Sequence, residues 1–161
     1  DFGDAYYMLD GKPLLIVYGD GAEELWNEYL ESGGKAKYAG DAFTLRWADN
    51  QSSPGRYGWA FDKGTKQDEE VMVVMPGWDN RKGHTPVPRD HGSWYRASWK
   101  EVFTASVKPK IIVINSFNEY AENTGVFTAL TDLYGDDAPD MYWNMTKDYI
   151  KLFREGGYFE P

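Results

Sequence analysis

Short apolar runs alternate with amphipathic segments along the chain, and this alternation predicts its secondary structure. Three apolar runs have the length of strands and comprise residues 14–18, 71–75 and 111–114, and a further strand is plausible over residues 43–47. Continuous apolar runs of this kind are typical of strands that are buried on both faces. Apolar residues at helical spacing predict helices over residues 22–32 and 93–107, and a last helix with Pro139 in its first turn. Strand–helix–strand order favours parallel strands joined by helical crossovers, and therefore an α/β fold.

The most apolar run, residues 111–114, leads directly into a polar segment that carries Glu119 and Glu122. Active sites of α/β folds lie beyond the carboxyl ends of the strands, which is where this segment falls. Because the two glutamates are three positions apart, their carboxyl groups can share one side of a turn. Such a pair suits acid/base catalysis at a glycosidic bond. A solvated pair in a loop, or a cap on the following turn, is the alternative.

The polar segment is also similar to a known family motif. Residues 116–124 read Ser-Phe-Asn-Glu-Tyr-Ala-Glu-Asn-Thr, which resembles the SFNEWHEGT motif of glycoside hydrolase family 99, the endo-acting α-mannosidases and α-mannanases. Upstream, residues 76–80 resemble the PGYD element of that family, and Arg89, Gly92 and Tyr95 fall where it has an Arg, a Gly and a Tyr before a helix. The resemblance spans about residues 72–128.

Four positions depart from the family pattern. The family has Trp at the position of Tyr120, His at Ala121, Gly at Asn123 and Glu at Phe127. These departures affect the assignment of a subfamily and a substrate more than the assignment of the reaction chemistry. They leave open a barrel that binds carbohydrate without cleaving it, and a polysaccharide-biosynthesis protein of a related family.

The resemblance implies a (β/α)8 TIM barrel in which the motif lies in the C-terminal part. A complete barrel needs about 250 residues, so about four β/α units fit in this chain. We therefore expect residues 1–161 to form a single domain that is the C-terminal half of such a barrel, with the N-terminal half as a missing partner. A half-barrel alone exposes unpaired strand edges and an apolar interior. A small, complete, open α/β sheet is the alternative.

By resemblance, Glu119 matches the family carboxylate that acts on the sugar 2-hydroxyl, and Glu122 matches the general acid/base at the glycosidic oxygen. The family retains configuration through an internal 1,2-anhydro sugar, unlike the usual two-carboxylate scheme. A general acid must hold its proton near neutral pH, which requires burial or a neighbouring negative charge. Glu119 is the obvious neighbour for Glu122.

Further candidate substrate-binding residues flank the predicted strand ends. They are Asn118, Tyr120, Trp78, Asp79, Arg46 and Trp47. Aromatic planes stack on the apolar faces of sugar rings, while Asp and Asn bind hydroxyl groups. Packing under the loop is the alternative for Tyr120, a turn for Asn118, a capping aromatic for Trp78 and a structural role for Arg46. For Arg89 we expect a role in fixing the loop, through Asp79 or Asp90.

Composition narrows the class of partner. Seventeen Lys plus Arg against 26 Asp plus Glu give a formal charge of −9, which disfavours nucleic acid and anionic membranes. Aromatic residues make up 17% of the chain, which suits an oligosaccharide or polysaccharide substrate. No run approaches the roughly 20 apolar residues of a membrane span.

Metal and cofactor chemistry find no support in the sequence. The chain has no cysteine, and its two histidines, His84 and His91, lack the spacing of a metal motif. We therefore expect no catalytic metal and no cofactor. The absence of cysteine leaves the compartment undecided, and a secreted, periplasmic or cell-surface location is the expectation for a glycosidase of this kind.

Overall fold

The computed structural model describes residues 5–19, 21–33, 37–49, 57–58, 70–80, 82–128 and 137–157. The strands are β1 (Met8–Leu9), β2 (Lys12–Tyr18), β3 (Thr44–Asp49), β4 (Tyr57–Gly58), β5 (Val71–Val74) and β6 (Ile111–Ile114). The helices are α1 (Ala22–Glu31), α2 (Lys37–Ala42), α3 (Ser93–Thr104) and α4 (Met141–Glu155), and a 3-10 turn over Asp90–Gly92 precedes α3. None of the described helices is long and apolar enough to cross a membrane.

The strands pair mainly in parallel, as the strand–helix order predicts. Strands β2, β3 and β4 form consecutive parallel pairs, β1 adds an antiparallel edge to β2, and β5 pairs in parallel with β6. The mixed α/β class is confirmed, as are the four predicted strands and three predicted helices. Strands β1 and β4 are two residues long, too short for a hydrophobic period to reveal them. A further apolar element at residues 59–61 lies outside the described residues.

The main core lies where α3 and α4 cover one face of β5 and β6. Met72 and Val74 of β5 pack there against Tyr95 and Trp99, and the Tyr95 hydroxyl lies 2.8 Å from Thr146 Oγ1 of α4. Burial raises the pKa of Tyr95 to about 12, so the Tyr95 hydroxyl in this contact is protonated at physiological pH. The opposite face of β5 packs Val71 against β3 and β4. Strand β5 is therefore buried on both faces, as predicted.

Strand β2 differs from the prediction that residues 14–18 form a buried strand. Leu15 and Ile16 are 36% and 38% exposed, and α1, which follows β2, has no buried residue. Among the described residues, the sheet continues beyond β2 only into the two residues of β1. An apolar run indicates that a strand favours burial, but it does not show which element buries it. The described elements bury β2 only partly.

Charged groups beside the amino ends of the strands form a network around Glu70, which precedes β5. The Arg46 guanidinium donates from Nε to Glu70 Oε2 at 2.9 Å, and the Tyr57 hydroxyl donates to the same oxygen at 2.9 Å. Lys110 Nζ, just before β6, lies 3.6 Å from Glu70 Oε1. The hydrogen bond from Arg46 is the main reason that the pKa of Glu70 lies below its usual value of 4.5.

We expect Glu70→Gln to lower the free energy of unfolding at pH 7 by about 1–2 kcal/mol, because it removes the charge that Arg46 binds. Since the folded pKa of Glu70 is depressed, its contribution is fully present above pH 4.5 and is lost as pH falls through the lower folded value. Urea unfolding of both proteins between pH 7 and pH 3 should show the two curves converging on the acid side. Glu28→Gln, at an exposed site on α1, is the control. A difference that persists unchanged at pH 3 contradicts the assignment.

Candidate active site

Two loops meet where the parallel strands β5 and β6 end side by side. Residues 75–92 follow β5 and are called here the upstream loop, and residues 115–127 follow β6 and are called the carboxylate loop. The Asn115 amide donates to the Val74 carbonyl at 3.0 Å, which carries the pairing of the two strands into the start of the carboxylate loop. The sequence-predicted residues Trp78, Asp79, Asn118, Glu119, Tyr120 and Glu122 all lie on these two loops.

Hydrogen bonds between Ser116 and Thr124 close the carboxylate loop at its base. The Ser116 amide donates to the Thr124 carbonyl at 3.0 Å, and the two hydroxyl oxygens lie 2.8 Å apart. Ser116 Oγ also accepts the Glu119 amide at 2.9 Å, and the Thr124 amide donates to the Glu119 carbonyl at 3.1 Å. The backbone that carries the carboxylates is therefore held within the loop itself.

Glu119 and Glu122 both expose their side chains on a turn of this loop. Glu119 Oε1 accepts the Ala121 amide at 3.0 Å, which fixes the carboxylate over its own turn. The Glu122 carbonyl accepts the Asp79 amide at 2.8 Å, which joins the carboxylate loop to the upstream loop. Within the described residues, neither carboxylate takes part in an ion pair. Of the two conditions expected for a general acid, burial is not met in the described residues, since both groups face solvent, and the neighbouring charge of Glu119 stays a prediction.

Arg89 of the upstream loop binds the carboxylate loop and so holds the two loops together. Its side chain is buried, and it donates from Nε to Asn123 Oδ1 at 3.0 Å and from Nη2 to the carbonyls of Asn123 and Gly125 at 2.9 and 2.7 Å. The guanidinium also lies 4.3 Å from the centre of the Tyr142 ring of α4. Arg89 fixes the loop as predicted, but the prediction named Asp79 or Asp90 as its partner, and its bonds to Asn123 and Gly125 were not foreseen.

The Tyr142 ring beneath Arg89 is itself held in place. Its hydroxyl donates to Asp137 Oδ2 at 2.6 Å, while His91 Nδ1 lies 2.9 Å from the other oxygen of Asp137. Burial is the main reason that the pKa of Tyr142 is raised, and the bond to Asp137 adds to the effect. Tyr142 therefore stays neutral and keeps its aromatic face against Arg89.

The backbone explains one departure from the family motif. Asn123 has a φ of +55°, in the left-handed region that favours glycine but that asparagine tolerates better than most residues. The family has Gly at this position. Asn suits the backbone conformation that this chain has at position 123, and its side chain adds an acceptor for Arg89.

The upstream loop is closed by a backbone bridge between Trp78 and Val87. Their amides and carbonyls exchange hydrogen bonds of 2.9 and 2.8 Å. Gly77 permits this close approach, since a Cβ there would lie 2.7 Å from Arg89 Cγ and 3.0 Å from the Val87 carbonyl oxygen. The Trp78 ring centre lies 5.9 Å from that of His84. Trp78 and Asp79 are half-buried.

The remaining predicted site residues divide into two groups. Asn118 is exposed beside the carboxylates, while Tyr120 is half-buried and packs against the main core. Arg46 lies with Glu70 near the amino ends of the strands, away from the two loops, and Trp47 packs edge-to-face on Trp26 of α1 at 5.8 Å. The side chain of Arg46 is therefore bound by Glu70 at the amino ends of the strands, while the predicted sugar-binding role of Trp47 stays a prediction. In the described ranges, no group of three or more His, Asp and Glu side chains is placed to hold a metal ion.

Sequence reasoning missed three aromatic residues at this edge of the sheet. Phe117 and Phe127 flank the carboxylate loop, and their rings meet each other and the ring of Trp143 from α4. Phe117 lies inside the family motif and Phe127 at a departure from it. For Phe117 and Phe127 the available signal was their position near the carboxylates in sequence, whereas no local signal placed Trp143 of α4 beside them.

Known proteins match this chain in structure but not in overall sequence. No family model and no curated protein matches the sequence. Two solved structures of the glycoside hydrolase family 99 (GH99) endo-α-mannosidase from Bacteroides thetaiotaomicron match the structure at 20% identity, one of them in complex with bis-tris-propane. The TM-scores are 0.66 and 0.63, and each match covers 96% of this chain. The chain has the fold of the GH99 endo-α-mannosidases.

The chain spans about three-fifths of the length of these neighbours, since the matches cover 62% and 58% of them. The resemblance to the GH99 endo-α-mannosidases seen in the motif of the carboxylate loop is thus confirmed by the structure. At this level of identity, the likeness concerns the fold. The chemistry has to be argued from the residues at the carboxyl ends of β5 and β6.

Proposed function

We propose that this chain is part of a glycoside hydrolase that cleaves α-mannosidic or similar linkages, with Glu119 and Glu122 as its acid/base pair. The observation that carries the proposal is that both carboxylates stand exposed on one braced turn at the carboxyl end of β6, in a GH99-like fold. This is the edge at which barrel enzymes of many kinds place their catalytic groups.

The proposed chemistry follows the resemblance. Glu119 takes the proton of the sugar 2-hydroxyl as O2 bonds to C1, while Glu122 donates a proton to the glycosidic oxygen and the bond from C1 to that oxygen breaks. The 1,2-anhydro sugar then opens. Glu122 takes a proton from water as the water oxygen bonds to C1, the bond from C1 to O2 breaks, and O2 takes its proton back from Glu119. One water is consumed and the configuration at C1 is retained.

The loops supply the geometry that such a reaction needs. The Ala121 amide holds the Glu119 carboxylate, and the bond from the Asp79 amide to the Glu122 carbonyl fixes the upstream loop against the acid. Trp78, Asp79, Asn118 and Tyr120 surround this turn in the proposal and bind the sugar. Arg46 is not assigned a part, because its guanidinium binds Glu70, whereas Trp47 near the carboxyl end of β3 remains a candidate for sugar binding.

We further propose that residues 1–161 are the C-terminal half of a (β/α)8 barrel. The partial coverage of the GH99 neighbours supports this, as do the uncovered apolar residues of β2. The other half would then cover the exposed carboxylates and exclude water from the acid. A general acid that faces bulk water has little reason to keep its proton near neutral pH.

Release of reducing sugar by the full-length protein from a panel of α- and β-linked glycans tests the proposal. We expect turnover of an α-mannoside, with retention of configuration seen by NMR of the first product. A double variant, Glu119→Gln with Glu122→Gln, serves as the inactive reference. Saccharide binding by the wild-type protein without turnover of any glycan would instead identify a non-catalytic binding barrel. The departures from the family motif at Tyr120 and Ala121 are the reason for considering this alternative.

A further inference from the structure

Three aromatic rings form a cluster beside the carboxylates, called here the aromatic cluster and made of Phe117, Phe127 and Trp143. The ring centres of Phe117 and Phe127 lie 4.9 Å apart at 36°. The Trp143 ring stands nearly perpendicular to both, with centres 6.1 Å from Phe117 and 5.5 Å from Phe127. These are favourable aromatic contacts, so the three rings hold one another in place.

The cluster is exposed where the neighbouring aromatic residues are buried. Phe117 is 53% and Phe127 38% exposed, whereas Tyr95, Trp99 and Tyr142 of the nearby core are fully buried. A single exposed apolar residue is ordinary, but adjacent large rings at a candidate active site mark a binding surface.

The carboxylate loop fixes the aromatic cluster close to Glu119. The Phe117 carbonyl accepts the amides of Val126 and Phe127 at 3.1 and 2.9 Å. These hydrogen bonds join the two arms of the loop, one of which carries Phe117 and the other Phe127. Phe117 precedes Glu119 by two residues, so their Cα atoms are at most about 7 Å apart. The backbone of the aromatic cluster therefore lies close to that of Glu119.

We propose that the aromatic cluster binds a sugar ring of the substrate, next to the linkage that is cleaved. This inference rests on the proposed function. The apolar C–H face of a pyranose suits an exposed aromatic surface, and a neutral saccharide fits a chain with a formal charge of −9. The cluster then contributes to the affinity for longer saccharides, because it binds a sugar ring beyond the one that meets the carboxylates.

The test uses the full-length Glu119→Gln, Glu122→Gln double variant, so that binding is measured without turnover. Calorimetry with α-linked mannose oligosaccharides, from the disaccharide to the hexasaccharide, gives the affinity. We expect Phe117→Ala and Phe127→Ala to weaken binding of the longest bound saccharide about tenfold, which is the scale of one aromatic contact. Tyr29→Ala, which removes an equally exposed ring from α1, should leave the affinity unchanged.

The outcomes separate this inference from the proposed function. Unchanged affinity in Phe127→Ala, or in a folded Phe117→Ala, overturns the sugar site while turnover by the wild-type protein still supports the hydrolase. Weaker binding in these variants, with no turnover by the wild-type protein, keeps the sugar site and argues against the hydrolase. Absence of binding by any of the oligosaccharides overturns the site. A wild-type dimer that Phe117→Ala converts to a monomer also overturns it, because the rings then cover a second copy of the protein.

Discussion

Replacing Glu122 with glutamine is expected to slow the hydrolysis of an unactivated α-mannoside by about 10²–10⁴-fold. The amide has the shape of the acid but no proton to donate to the departing oxygen. The backbone carbonyl of Glu122, which accepts the Asp79 amide, is unchanged by the substitution. The variant should therefore fold and bind substrate like the wild-type protein.

The dependence of the hydrolysis rate on the leaving group shows whether Glu122→Gln has lost a general acid or is impaired in another way. A substrate with an acidic phenol as leaving group departs without help from an acid, so the first step should lose much less in Glu122→Gln. Glu119→Gln should slow both kinds of substrate, because it removes the base for the 2-hydroxyl. Glu101→Gln, at an exposed site on α3, is the matched control. Equal losses on activated and unactivated substrates for Glu122→Gln contradict its assignment as the acid.

Replacing Arg89 with methionine is expected to lower the free energy of unfolding by about 3 kcal/mol, because buried acceptors lose their donors. The affected groups are the Asn123 side-chain oxygen and the carbonyls of Asn123 and Gly125. The contact with the Tyr142 ring weakens as well. Since Asn123 directly follows Glu122, we also expect kcat to fall at temperatures where the variant is folded.

Chemical denaturation and steady-state kinetics on the same samples measure both effects. Arg89→Lys keeps the charge but not the planar fork, so it should recover little of either loss. Arg154→Met, at an exposed site on α4, should change neither quantity. An Arg89→Met protein with wild-type stability would show that the loops are held by other contacts.

Local pattern was sufficient to predict the elements that carry the site. The apolar runs before Pro76 and Asn115 form β5 and β6, and the polar segment after residue 114 lies at the carboxyl end of β6. The stripe of α3 is buried where Tyr95 and Trp99 lie. These features depend on nearby residues, which a hydrophobic period reports well.

Contacts between distant residues escaped prediction because nothing local specifies them. Arg89 and Asn123 are 34 positions apart, and their bond depends on how two loops cross. Arg46 illustrates the same limit within a strand. Its position in β3 suggested a reach toward the carboxyl edge, but its side chain bonds to Glu70 beside the start of β5. The partner of a side chain follows from sheet register, which a single strand does not reveal.

The bridge between Trp78 and Val87 separates the anchored part of the upstream loop from its tip. Lys82, Gly83, His84, Thr85 and Pro86 are exposed beyond the paired backbone. Grafting a longer or differently charged tip between the two bridge residues would leave the bridge and the Asp79 amide in register with Glu122. Under the proposed function, changes at this tip would alter glycan preference while Glu119 and Glu122 keep their positions.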